Sequence, residues 1–171
     1  SSVTFSGTSS TISLKVTDAS SNTIVGLSAG NGSITGTSNT GLGSAVLKAQ
    51  TSGSRSVALG SLALTSSTTG SDNTAIGYHA LGGAGNTGSN NIGIGYAAGS
   101  VFAGHRNIAI GDVALTFNQT GSHNIGIGYE ALRNSQDSDY NIGIGEQSLY
   151  ACRGDYNTAA GFQAGYNLVH Q

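Results

Sequence analysis

A nine-residue phrase recurs along the chain at a nearly fixed step, and its fifth residue is glycine in every copy. NTAIGYHAL (73–81), NIGIGYAAG (91–99), NIAIGDVAL (107–115), NIGIGYEAL (124–132) and NIGIGEQSL (141–149) are the clearest copies. SVALGSLAL (56–64) and NTAAGFQAG (157–165) are close variants, while NTGLGSAVL (39–47) and NTIVGLSAG (22–30) are weaker ones. The nine first residues are separated by 17, 17, 17, 18, 16, 17, 17 and 16 positions. So short a unit cannot bury an apolar face alone, and its repetition implies a solenoid in which stacked turns supply one another's core. The expectation is an all-β parallel β-roll of about nine repeats over 22–165. A strand or cap segment (1–21) precedes it and a short tail (166–171) follows.

The glycine column comprises Gly26, Gly43, Gly60, Gly77, Gly95, Gly111, Gly128, Gly145 and Gly161. An unbroken column needs a steric cause, either a positive φ or a neighbouring backbone too close to admit a side chain. Position three is Ala or Gly in eight copies, Ile24 being the exception. Alternate residues of a strand share a face, so positions three and five make a small face and positions two and four a bulky one. Ile92, Ile94, Ile108, Ile110, Ile125, Ile127, Ile142 and Ile144 carry that bulky face and are the candidates for the core of the roll or for joining chains.

Asn opens eight copies, with Asn73, Asn91, Asn107, Asn124, Asn141 and Asn157 in the stronger ones and Ser56 as the substitute. Stacked Asn side chains can bond from turn to turn, so this column reads as structural. Position eight is mostly Ala and position nine Leu or Gly, a pattern that fits a second short strand. Glycine-bearing turns such as TGSHN (120–124) and AGHRN (103–107) precede the Asn, giving each repeat the plan strand, turn, strand, turn. Ahead of the repeats, TISLKV (11–16) places Ile12, Leu14 and Val16 on one face, as in a half-buried strand.

Composition narrows the function classes. The chain has 171 residues, 28 Gly, no Trp or Met, 8% charged residues and a net charge of −2. Six Lys plus Arg provide no basic stripe for nucleic acid. No apolar run approaches the roughly 20 residues of a membrane helix, so no membrane insertion by this segment is expected. Cys152 is the lone cysteine and reads as an inert small residue. Each turn holds only two or three bulky aliphatics against the entropy of ordering its backbone. Packing the bulky face of three parallel copies around a shared axis, a homotrimer, would offset that deficit.

The phrase N-x-[AG]-I-G-x-x-A-[LG], over residues 22–165, resembles the head repeat of YadA-type trimeric autotransporter adhesins and of related trimeric phage-tail and bacterial surface fibres. The resemblance implies a left-handed parallel β-roll in each chain, three chains per fibre, an extracellular location on a bacterial surface or phage tail, and a role in attachment to a host or target surface. The period of about 17, with its TGS-like turns, is closer to the fibre-type relatives than to the shorter adhesin repeat.

Enzymatic and ligand readings are weaker. A hexapeptide acyltransferase solenoid lacks its third aliphatic column here, and His79, His105, His123 and His170 have no recurring acidic partner, which marks them as solvated surface residues. No Asp recurs as a calcium roll requires, and column two mixes Thr with Val and Ile, unlike an ice-binding array. The expected protein is therefore not an enzyme and uses no cofactor. The residue before the Asn varies most, ending in Arg106, His123, Tyr140 and Tyr156, which makes these four the candidate surface contacts. Position six also varies, with Tyr78, Tyr96 and Tyr129 among its members. Either column could recognise target-cell glycans or proteins, an alternative to a spacer role, or simply pack against neighbouring turns. Arg153-Gly154-Asp155 matches a short integrin-binding motif, but Gly154 falls in the turn glycine column.

Overall fold

The computed structural model describes residues 2–6, 11–17, 20–30, 33–100 and 103–168. Eleven strands form one sheet in chain order. Strands β1 (Ser2–Ser6) and β2 (Thr11–Thr17) form an antiparallel hairpin, and β2 pairs antiparallel with β3 (Asn22–Val25). From β3 onward every pairing is parallel: β4 (Thr40–Leu42), β5 (Val57–Leu59), β6 (Thr74–Ile76), β7 (Ile92–Ile94), β8 (Ile108–Ile110), β9 (Ile125–Ile127), β10 (Ile142–Ile144) and β11 (Thr158–Ala160). Nine parallel strands, one per repeat, thus make a β-solenoid of about eight turns with no helix among the described residues. The registers hold repeat position to repeat position, as in Ile108↔Ile125 and Ile110↔Ile127. The 18- and 16-residue steps are absorbed outside the strands. The inward orientation expected for Ile12, Leu14 and Val16 falls outside the described side chains, and 169–171 lie outside the described residues.

The second strand expected at positions eight and nine does not form. Positions six to ten are consecutive turns, because positions seven and nine adopt left-handed backbone: Val113 has φ 52° and Leu115 φ 51°, and the same pair recurs as Glu130 and Leu132. Extended structure cannot pass through such residues. The turns are still laddered, since alternate N–H groups point to opposite neighbours. Val113 N–H donates to Tyr96 O of the preceding coil (2.8 Å) and Leu115 N–H to Ala131 O of the next (2.9 Å).

Three inward columns fill the coil. Leu47, Leu64, Leu81, Leu115, Leu132 and Leu149 are almost fully buried, joined by the small residues of position three and the Ala residues of position eight. The isoleucines at positions two and four point the other way, onto the outer face of the sheet, where Ile92, Ile94, Ile108, Ile110, Ile125, Ile127 and Ile142 are half-buried and Ile144 is exposed. Of the two roles open to them, the core of the roll is therefore removed. Leucine at position nine fills that core, carried there on left-handed backbone in Leu47, Leu64, Leu81, Leu115, Leu132 and Leu149.

Both candidate causes of the glycine column operate together. Gly111 has φ +125°, and a Cβ there would lie 2.5 Å from the carbonyl oxygen of Gly128 one turn on. Column members from Gly26 to Gly145 would likewise meet the backbone of the following coil's glycine, and all nine have φ between 120° and 148°. Here the corner of each coil rests directly on the next.

Candidate functional site

Lateral columns, one residue per coil, are the units from which any site on this scaffold must be built. The buried Asn column is wholly committed to structure. Asn107 Nδ2 donates to Gly121 O (2.8 Å), and its Oδ1 accepts the backbone N–H of Asn124 (2.9 Å). The pattern repeats at Asn73, Asn91, Asn124 and Asn141 with their successors. The bonds between turns thus run mainly from side chain to main chain, with one side-chain pair at the end of the column, Asn157 Nδ2 donating to Asn141 Oδ1 (3.0 Å). Ser56 supplies half of this, its Oγ accepting Asn73 N–H at 3.3 Å. The missing donor is replaced by Gln50, whose Nε2 reaches Gly70 O at 3.4 Å.

A second ladder escaped the sequence reading. The residue after the turn glycine, two before the Asn, accepts the N–H of its counterpart in the preceding coil. Ser71 Oγ accepts from Ser54 N–H (3.0 Å), Ser89 Oγ from Ser71 N–H (3.1 Å), His105 Nδ1 from Ser89 N–H (3.0 Å) and Ser122 Oγ from His105 N–H (3.0 Å). Asp139 and Asp155 continue it, at 2.6 and 2.8 Å. The signal lay in the sequence: seven consecutive short or planar acceptors from Ser54 to Asp155 at the same offset. His105 is therefore not merely solvated. Its Nδ1 is an acceptor in the ladder, which fixes the tautomer with the proton on Nε2. His170 lies outside the described residues.

The four candidate contact residues, Arg106, His123, Tyr140 and Tyr156, are brought into one file. Arg106 Nη1 lies 3.3 Å from His123 Nε2. The His123 ring stacks on Tyr140 with centroids 4.6 Å apart, and Tyr140 stacks on Tyr156 at 5.0 Å, with planes within 8° of parallel. All four residues adopt left-handed φ near 60°. Ring faces are largely spent on one another, so the file presents rims and hydroxyls outward, apart from Tyr156, which is 76% exposed. In position six, Tyr78 and Tyr96 stack at 5.5 Å. A third file joins Arg133, over the Phe117 ring at 5.3 Å, to Tyr150 and Tyr166, stacked at 4.8 Å. Arg133 also pairs with Glu130 at 2.5 Å, and Glu130 in turn accepts from Gln147.

Near these files, the ends of the seventh and eighth coils form a cleft of about 630 Å³ lined by Asn134, Gln136, Asp137, Ser138, Ala151, Arg153, Gly154 and Asp155. The Arg-Gly-Asp triplet belongs to this ladder and not to a projecting loop: Arg153 N–H bonds Leu168 O, and Asp155 Oδ1 holds Asp139 N–H. Among the described residues no group of three or more His, Cys, Asp or Glu side chains could hold a metal ion. Cys152 is buried, and burial pushes its thiol above the usual range while the Asn157 amide, 3.3 Å away, pulls the other way. No helix of the described residues is long and apolar enough to cross a membrane.

The outer sheet face is a further continuous feature. Columns two and four present Leu42 (56% exposed), Val57, Ile76 (37%) and Ile144 (44%) among the half-buried isoleucines, with no element of the described chain over them. No family model matches the chain, and neither does any curated protein or solved structure.

Proposed function

We propose that the chain is a segment of a homotrimeric extracellular fibre, a YadA-like left-handed β-roll whose three parallel copies pack their outer sheet faces around a common axis. The observation that carries this is the apolar stripe of columns two and four. Parallel sheets are normally covered on both faces, and a contiguous exposed apolar stripe is a feature of interaction sites. The inner face is covered by the chain's own leucines; among the described residues no element covers the outer one. A second copy of the same stripe is the natural complement, since it has the same spacing and the same lack of charge.

The role is mechanical and non-enzymatic: a stiff rod, about 40 Å long at one strand spacing per coil, that holds or forms a contact surface on a bacterial surface or phage-tail fibre. Three copies would repeat each weak lateral site and bind through avidity. Sedimentation equilibrium is the direct test. The expected mass is that of three chains, and Ile110→Asp together with Ile127→Asp should reduce it to one. A cooperative, fully folded monomer at micromolar concentration would refute the assembly.

A further inference from the structure

We infer that the cleft between the seventh and eighth coils binds a neutral oligosaccharide, which goes beyond the fibre reading and does not depend on how many chains assemble. The scaffold is irregular at this point. The turn glycine column runs Gly36, Gly53, Gly70, Gly88, Gly104, Gly121, then Ser138, then Gly154. At the interruption Asp137 enters the left-handed region with φ 57°, whereas its counterparts Thr120 and Arg153 do not. The cleft opens at this break, and its volume falls within the usual range of small-ligand sites.

Its chemistry selects the ligand class. Asp137 Oδ1 is held by the Thr120 hydroxyl (2.6 Å) and Asp155 Oδ1 by Asp139 N–H (2.8 Å). Each carboxylate is thereby oriented by one oxygen while the other remains an open acceptor. Arg153 supplies donors in a planar fork and has no ion-pair partner among the described residues. Asn134 and Gln136 add amides that both donate and accept. Two carboxylates against one guanidinium disfavour an anion, too few ligating groups converge for a metal ion, and the mostly polar lining disfavours an apolar guest. A ligand rich in hydroxyls and without charge matches every group present.

The test is titration of the folded protein with four neutral hexaoses, cellohexaose, chitohexaose, maltohexaose and mannohexaose, followed by amide chemical shifts. At least one should saturate shifts confined to 134–138 and 151–156. Arg153→Ala and Asp137→Asn should each weaken it roughly tenfold or more; Asn tolerates the left-handed φ and still accepts from Thr120, so the fold is kept. Lys48→Ala, on the second coil, should leave binding unchanged. No shift from any hexaose at about 10 mM, binding that persists in both variants, or tighter binding of an oligogalacturonate would each overturn the inference.

Discussion

Replacing Gly111 by alanine separates the two physical demands that the glycine column meets. The first is the dihedral: φ is +125°, and a side chain held in so sparsely populated a region costs about 1–3 kcal/mol. The second is contact. The new Cβ would sit 2.5 Å from Gly128 O and 2.7 Å from Gly128 C, so the two coils must part by roughly 1 Å to restore van der Waals distance. Parting them stretches Gly128 N–H to Ile110 O (2.8 Å) and Glu130 N–H to Asp112 O (3.1 Å), at about 1 kcal/mol for each bond weakened. The combined loss is about 3–5 kcal/mol, large for a single methyl group. Gly161→Ala is the control, because Gly161 has φ +120° but nothing within 4 Å of its Cβ position; it should lose only the dihedral part. Solenoid stability is a sum over coils, so native-state hydrogen exchange at the amides of each altered coil is the proper measure, with urea melts in support. Equal losses at the two positions would refute the role of close approach, and a loss below about 1 kcal/mol at Gly111 would refute both demands.

Four further outcomes follow from the same structure. Leu115→Ala should lower stability by about 2–5 kcal/mol in a denaturant melt, since the side chain is fully buried in the coil. Asn107→Ala removes the donor to Gly121 O and strands the N–H of Asn124; a loss of about 2–4 kcal/mol is expected, with Asn107→Ser intermediate because Ser56 shows that a hydroxyl keeps the acceptor half. The Arg55 guanidinium bonds Asp72 at 2.7 Å and holds its carboxyl below the usual 3.8. That contribution is complete above pH 3.8 and disappears as pH falls through the lower folded value; because the pair is exposed the effect is small, and Asp72→Asn should flatten the acid limb of the melting profile. Cys152, buried and with its thiol pushed up by burial, should resist alkylation in the folded protein and react at the rate of coil opening, and rapid labelling without unfolding would contradict its placement.

Much of the fold was legible because a solenoid writes its geometry into the period. The spacing of the Asn and Gly columns gives the number of coils, and the registers then pair equal positions, as Ile92↔Ile108 and Ile94↔Ile110 do. The exposed file of Arg106, His123, Tyr140 and Tyr156 was legible for the same reason, because equivalent positions on successive coils must stack. The second strand was misread because Ala and Leu at positions eight and nine are compatible with extended backbone; the left-handed φ of Val113 and Leu115 is imposed by how neighbouring coils share their N–H groups. The acceptor ladder from Ser54 to Asp155 was overlooked because Ser, His and Asp look unlike as residues and are alike only as acceptors. The cleft at Asp137 and Arg153 depends on coils meeting in space; its trace in the sequence is Ser138, where the turn glycine column is interrupted, and that break does not show what lies beside it.

The sequence by itself determined the repeat, its parallel stacking and the identity of the residues at every corner, because only a glycine column and an Asn column of constant step satisfy the same backbone demands coil after coil. Only the tertiary structure decided which apolar column lies inside. A two-residue alternation states that isoleucines and small residues face opposite ways, but not which way is in. That choice was made by the leucines of position nine, whose left-handed backbone turns them into the coil and leaves the isoleucines on its outer face.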